Sequence, residues 1–283
     1  MMIRTWLSRA VRRLRGKTPA LGRRGSVPSV GPGVECNICE WRGAAFEGGA
    51  HSESAVCPSC NSISRDRFLH YSFTRRMPPR KGMRILETSP RLGKSYRDAM
   101  KEQFDYLCSD FDERAHKADL HIDMQAIDLP DNSLDVILTP HVLEHVPDTS
   151  RALAELHRVL RPGGKAFIQI PLLQGKTSVP TTPEYHGDNT LVYWRFGWDF
   201  TDKVREHGFQ CTALVSEQFR RQCLEHRSEG EPVSGEFDVD SILADARPAD
   251  LLAIADEATA LRHSFKPSYM FVTWECVKPE TAS

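Results

Sequence analysis

The sequence predicts an α/β fold with a small four-cysteine module on its N-terminal side. Two observations predict the first part. Leu134 to Leu138 and Ala166 to Ile170 are short apolar runs, and between them Ala152, Leu153, Leu156, Val159 and Leu160 recur at helical spacing. Strand, helix and strand of this length make a βαβ unit, whose strands run parallel. A third observation predicts the module: Cys36 and Cys39, then Cys57 and Cys60, form two CxxC pairs separated by seventeen residues. The 283 residues suffice for one large α/β domain and a small appendage. No run of about 18 apolar residues exists, which excludes a membrane-spanning helix.

The chain begins with a basic arm. Residues 1 to 34 carry Arg4, Arg9, Arg12, Arg13, Arg15, Lys17, Arg23 and Arg24 and no acid, so the overall net charge of −1 leaves −9 on the remainder. Ile3, Trp6, Leu7, Ala10, Val11 and Leu14 fall on one helical face among the arginines. Three readings stand: a helix touching a membrane surface or partner through residues 1–15, an organellar transit segment, or a tail without a specific role. Residues 16 to 33 are rich in Gly, Pro and Ser and read as linker, which places the arm and linker at 1–33. No secretory leader follows the arm's pattern, so the chain is expected in the cytoplasm, with peripheral membrane contact as an option.

Residues 34–62 hold the cysteines. Two short knuckles can each present two thiolates to one tetrahedral ion, so Cys36, Cys39, Cys57 and Cys60 are the expected ligands of a structural Zn2+. Sulfur at all four positions leaves no site for water, which excludes a catalytic role for that ion. Trp41 and Phe46 supply a minimal core. Two disulfides are the alternative, and His51 is a possible substitute ligand. Residues 63–80 are expected to form a connecting helix ended by Pro78 and Pro79.

Residues 81–279 form the expected α/β domain. Met83 to Glu87 reads as its first strand, followed by the turn Thr88-Ser89-Pro90-Arg91-Leu92-Gly93. Phe104 to Asp110 reads as the second, ending in an acid 23 residues after Glu87, near the spacing at which a strand-end acid takes ribose hydroxyls. Leu120-His121-Ile122-Asp123-Met124 precedes the acidic turn Leu129 to Ser133, and then the strand at Leu134. Asp148 stands at a helix N-cap position, and Pro162, Gly163 and Gly164 are expected to stop that helix. Thr201 to His207 should be helix, Phe209 to Val215 strand, Ala249 to Leu261 helix, and Tyr269 to Val277 a last strand.

The run HVLEHVPD followed by ALAELHRVLRPGGKAFIQIP resembles the segment after the fourth strand of class I S-adenosylmethionine (SAM)-dependent methyltransferases, type 11-like, over roughly residues 80 to 215. The resemblance implies a doubly wound, Rossmann-like, seven-stranded, mostly parallel sheet whose last strand is antiparallel. It implies SAM as cofactor, with Glu87 and Gly93 at the first turn, Asp110 on the ribose, Asp123 and Met124 at the adenine, and the HVLEH turn beside the sulfonium. Only Gly93 remains of that family's usual turn glycines, and Pro90 lies inside the turn. The absence of GxGxxG after the first strand speaks against a nicotinamide enzyme. The run CP-x-C-x-S-x-x-R-x-R resembles the N-terminal module of bacterial methyltransferases found in surface-polysaccharide and sugar-modifying settings.

His141 and His145 are the candidate catalytic residues. His145 is a base or a cofactor-lining group, His141 lines the cofactor, and a purely structural role is the alternative. A metal reading of this turn would need a third ligand. After the fifth strand, Leu172 to Phe200 is polar, aromatic and long, which suits a functional lid over a sugar or similar polar molecule. Glu184, His186 and Arg195 are the candidate acceptor-binding residues, while two or more of Trp194, Phe196 and Trp198 should simply pack. The sequence therefore points to a SAM-dependent methyltransferase (EC 2.1.1.-) for a small polar acceptor, such as a sugar or polysaccharide precursor. RNA is a rival acceptor through the ribbon and basic arm, although the acidic body opposes it. A domain that has lost its cofactor and acts as a scaffold is the non-enzymatic alternative.

Overall fold

A computed structural model describes residues 33–48, 55–112, 117–186, 189–228, 237–265 and 271–280. The basic arm, His51 and the first residues of the expected last strand lie outside the described residues.

The four-cysteine module is held by a two-stranded antiparallel hairpin, β1 (Val34–Glu35) with β2 (Arg42–Gly43). Cys36, Cys57, Phe46 and Ala55 form its small buried cluster. Helix α1 (Ser64–Arg76) follows. It was expected as a connector, but Leu69 and Phe73 bury against Met83, Ile85 and Phe167, so it also covers one face of the main sheet.

The main sheet contains β3 (Arg84–Thr88), β4 (Asp105–Asp110), β5 (Leu120–His121), β6 (Leu134–Pro140), β7 (Leu160–Gln169), β10 (Gln210–Ser216), β11 (Leu251–Ala255) and β12 (Thr273–Val277). Their spatial order is β11-β10-β12-β7-β6-β3-β4-β5. Only β12 runs antiparallel to its neighbours, β10 and β7. The mostly parallel sheet expected from the sequence is thus present, with an eighth strand. That strand, β11, and the following α7 (Glu257–His263) replace the helix expected over Ala249 to Leu261. Leu251 and Ala255 are buried while the residues between are half-buried, so neither a period of 2 nor one of 3.6 shows in the sequence.

Helices α2 (Lys94–Gln103), α3 (Thr149–Val159), α4 (Phe200–Glu206), α5 (Glu217–Glu225) and α6 (Val239–Ala244) complete the layers. The Asp148 side chain accepts from the Arg151 amide at 3.0 Å and caps α3. Leu153, Leu156 and Val159 of α3 are fully buried against the sheet. The Pro162-Gly163-Gly164 stretch lies within β7 and not in a helix stop. The β6–β7 pairing jumps from Leu134↔Leu160 to Val136↔Lys165 across it, so it is accommodated as a bulge. β3 sits between β4 and β6, all parallel; the chain runs from β3 out to β4 and β5 and then crosses back to place β6 on the other side of β3. An open α/β sheet binds ligands at the carboxyl ends of strands around such a switch point.

Candidate functional site

A cavity of about 1120 Å³ opens at those carboxyl ends. Thr88 and Ser89 come from the end of β3, Ser109 and Asp110 from β4, Ile122, Asp123 and Met124 from the stretch after β5, and Pro140 and His141 from β6. Ser89 and His141 have φ of 46° and 50°. Left-handed backbone at non-glycine residues costs of order 1–3 kcal/mol, and it concentrates at functional sites. Here it turns both loops away from the strands and leaves the floor open. Hydrogen bonds from the Ser89 amide to Ser109 O (2.7 Å) and from the His141 amide to Gln169 O (2.8 Å) hold these turns. The buried Thr88 hydroxyl, on the cavity wall, has no hydrogen-bond partner.

The acids around the cavity are braced by backbone. Asp110 accepts from the Asp112 amide at 3.0 Å, and Asp123 accepts from the Gln125 amide at 2.8 Å. Phe111, 68% exposed, stands at the rim.

The HVLEH stretch forms a single 3-10 turn at Leu143–His145. Glu144 is completely buried, and neither carboxylate oxygen has a hydrogen-bond partner. Burial pushes its carboxyl up to about 8, opposed only in part by its own backbone amide and by the charge of Arg65. Its oxygen lies 3.6 Å from Nδ1 of His141 and 4.0 Å from Nε2 of His145. A short hairpin, β8 (Glu184–Tyr185) with β9 (Leu191–Val192), brings His186, Thr190 and Leu191 to the cavity, and Tyr193 follows it. The hairpin is stitched to the turn. His145 Nδ1 bonds Leu191 O at 2.8 Å, the Tyr193 amide donates to Glu144 O at 2.8 Å, and Trp194 Nε1 donates to Val146 O at 3.0 Å.

Residues 96–168 match the family described as a methyltransferase domain. Over that stretch, which runs from α2 through most of β7, the chain is similar to SAM-dependent methyltransferases. The chain is 32% identical over 128 residues to an uncharacterized 37.1 kDa protein in transposon Tn4556 of Streptomyces fradiae, covering 45% of this chain and 33% of that protein. It is 30% identical over 104 residues to the arsenite methyltransferase of Aquipseudomonas alcaligenes, covering 34% and 28%. The match therefore spans about a third of the length of these curated relatives. Among solved structures, phosphoethanolamine N-methyltransferase 2 of Haemonchus contortus, in complex with phosphomonomethylethanolamine and S-adenosylhomocysteine, superposes with a TM-score of 0.39 at 18% identity, over 76% of this chain and 53% of that one.

Of the residues that the sequence nominated in the methyltransferase domain, Asp110, Asp123, Met124, His141, His145 and His186 line the cavity together. Glu87 does not line it. Its carboxylate accepts from the hydroxyls of Tyr106 (2.7 Å) and Tyr96 (3.1 Å) in the adjoining core, where burial raises it to about 7. Gly93 begins α2 and also lies off the cavity wall. Glu184 and Arg195 pair with each other at 2.8 Å and do not reach the wall. Phe196 and Trp198 are packing residues, as expected, and Trp194 is half-buried. Sequence reasoning missed Arg65 and Arg91 on the wall and Glu144 behind it. Arg65 and Arg91 come from segments that were read as a connector and a turn. Glu144 had one signal, its place between two histidines.

The four cysteines converge. Sγ–Sγ distances are 3.7 Å for Cys36–Cys60 and 3.6 Å for Cys39–Cys57, and all four sulfurs lie within 4.8 Å of one another. A tetrahedral ion with metal–sulfur bonds of about 2.3 Å requires sulfurs about 3.8 Å apart. Arg67 of α1 is fully buried beside them. Its guanidinium donates to the carbonyls of Ser62 (2.7 Å), Ala55 (2.9 Å) and His263 (2.9 Å) and lies 3.8 Å over the Phe46 ring. No carboxylate forms an ion pair with it among the described residues, and the nearby negative charge is that of Cys36, Cys57, Cys60 and Asp66. A buried cation requires compensating charge, and the four converging cysteines are a set that can supply it as thiolates.

Proposed function

We propose that this chain is a SAM-dependent methyltransferase acting on a small polar acceptor, with a structural zinc ion in the cysteine module. The carrying observation is the cavity at the ends of β3, β4 and β6, where Asp110, Asp123, Met124 and His141 meet. Its volume exceeds the roughly 300–1000 Å³ of ordinary single-ligand sites, which leaves room for a cofactor and an acceptor side by side. The donor set fits SAM. Asp110 suits a vicinal diol, Asp123 an exocyclic amine, Met124 a ring face, and the unpartnered Thr88 hydroxyl a polar group of the ligand. Bound there, SAM supplies a methyl group activated by a cationic sulfur. The protein's share is then positioning and exclusion of water, which can supply much of the acceleration.

The acceptor would enter beneath the β8–β9 hairpin, where His145, His186, Thr190 and Tyr193 offer polar and flat surfaces. A sugar or a polysaccharide precursor matches this mixture. His145 is oriented for proton or ligand contact, because the bond of its Nδ1 to Leu191 O fixes the ring. Cys36, Cys39, Cys57 and Cys60 would hold the zinc, and Arg67 would offset the charge of their thiolates.

Calorimetric titration with SAM and S-adenosylhomocysteine, on wild type and Asp110→Ala, tests the cofactor site. Micromolar binding by wild type, weakened about tenfold or more in the variant, is expected for a lost charge-assisted diol contact. Well-folded wild type that binds neither ligand would refute the enzyme reading.

A further inference from the structure

The HVLEH turn and the hairpin above it bring together three ligand atoms, one each from Glu144, His145 and His186, all within 4.8 Å of one another. The sequence alone offered two histidines and no third ligand. The fold supplies it from 41 residues further along the chain, through β8–β9. We propose that Glu144, His145 and His186 form a second, catalytic-site binding position for a divalent cation, and that this cation receives an acceptor presenting two neighbouring oxygens, such as a vicinal diol.

Three features support a cation position over a fortuitous cluster. First, Glu144 is fully buried and neither carboxylate oxygen has a hydrogen-bond partner, its nearest titratable neighbours being the ring nitrogens of His141 at 3.6 Å and His145 at 4.0 Å. A carboxyl buried in this way either stays neutral or meets a positive charge, and a bound cation is one such charge. Second, His145 directs Nδ1 at Leu191 O, 2.8 Å away. Metal-binding histidines nearly always donate their other ring N–H to a carbonyl or carboxylate, which fixes the tautomer and presents the second nitrogen as a ligand. That second nitrogen, Nε2, faces Glu144 Oε1 at 4.0 Å. Third, the His145 and His186 rings meet edge-on with centroids 4.6 Å apart, so both approach the same point.

Ligand atoms around a bound ion with bonds of about 2.1 Å stand roughly 3.0 to 3.5 Å apart. The cluster is slightly wider than this. His186 is exposed at the hairpin end, so its movement can close the gap. Two imidazoles and one carboxylate suit a borderline divalent ion such as Mn2+, Fe2+, Co2+ or Zn2+, and leave positions open for other ligands. His145 and His186 both line the main cavity, so those positions face it. Two adjacent acceptor oxygens could fill them as a chelate, and an oxygen bound to a divalent cation loses its proton more readily. This also narrows the acceptor, because a lone hydroxyl would gain less than a diol. The acceptor part rests on the methyltransferase reading, whereas the cation part does not.

The test titrates Mn2+ into full-length protein loaded with a single equivalent of zinc, which the four thiolates take first, following free Mn2+ by electron paramagnetic resonance. The four-sulfur site, already filled, does not compete for a hard ion. One Mn2+ per chain should bind, with affinity reduced at least tenfold in Glu144→Gln and in His186→Ala. His186→Ala removes an exposed side chain and should fold normally. Retained binding of S-adenosylhomocysteine by both variants would show that the cofactor cavity is intact. No Mn2+ binding by wild type, or equal binding by wild type and both variants, would overturn the cation site while leaving any measured cofactor binding untouched. Mn2+ binding without cofactor binding would instead remove the methyltransferase reading and keep the cation site. With Mn2+ and S-adenosylhomocysteine present, a sugar with a vicinal diol should bind more tightly than its deoxy analogue. Equal binding of the two would overturn the chelated acceptor.

Discussion

Glu87 shows how one residue can satisfy a sequence pattern and still face another way. It ends a strand, as an acid near a cofactor should. Yet its carboxylate is 4% exposed and sits between two tyrosine hydroxyls. Desolvation raises it to about 7, and the tyrosine hydrogen bonds offset this only in part. In the unfolded chain the group ionises near 4.5. The folded form therefore keeps a proton that the unfolded form has lost, between about pH 4.5 and 7. Stability from this group is fully present below that window and is lost as pH rises through it. The maximum effect is about 3 kcal/mol, from about 1.4 kcal/mol per unit. Melting curves from pH 5 to 8 should show wild type losing stability relative to Glu87→Gln as pH rises. A constant difference across that range would mean that Glu87 is ionised in the folded protein.

At the scale of elements, the hairpin β8–β9 is the piece whose role the sequence left most open. Its length, polarity and aromatic content suggested a lid, and His186 does reach the cavity. Glu184 and Arg195, chosen on the same composition, instead close an ion pair on each other. Residue type alone could not separate the two cases, because an Arg and a Glu eleven residues apart can pair only once the chain turns. The same limit hid β11, where burial alternates too weakly to read, and Arg65, whose helix seemed a spacer. The runs that the sequence placed well are β6, which is buried almost throughout, and α3, where burial follows the helical period. The hairpin also yields a prediction. Arg195 is about 40% exposed in its side chain and Glu184 about 30%, so their pair should contribute less than about 1 kcal/mol. Arg195→Ala should lower the melting temperature only slightly and leave S-adenosylhomocysteine affinity within about twofold. An acceptor-binding role would appear instead as a raised KM with cofactor affinity unchanged, once an acceptor is in hand.

Across the whole molecule, the cysteine module and the cavity are linked through α1. That helix starts at Ser64, four residues after Cys60, and its first turn carries Arg65 and Asp66 to the cavity wall. Asp66 also pairs with Arg91 of the first turn, and Arg91 donates to Asn61 O at 3.0 Å. Asn61 lies within the second cysteine knuckle. Deeper in, Arg67 ties Ala55 and Ser62 of the module to His263 of α7, and Asn37 donates to Arg67 O at 2.9 Å. A module this small cannot hold its shape by apolar burial, so on the proposed zinc reading its order depends on the metal. Removing zinc should therefore loosen Asn61, the start of α1 and the Arg91 turn together, although no cysteine touches the cavity. Metal analysis should find one tightly held zinc per chain, lost in Cys36→Ser/Cys39→Ser. That variant should melt earlier and bind S-adenosylhomocysteine about fivefold or more weakly, the lower end of ordinary coupling between sites. Arg67→Lys should act in the same direction with zinc retained, because an ammonium cannot span three carbonyls as the guanidinium fork does. Zinc-free protein that binds the cofactor product as tightly as wild type would show instead that the module is an independent appendage, with its own partner to serve.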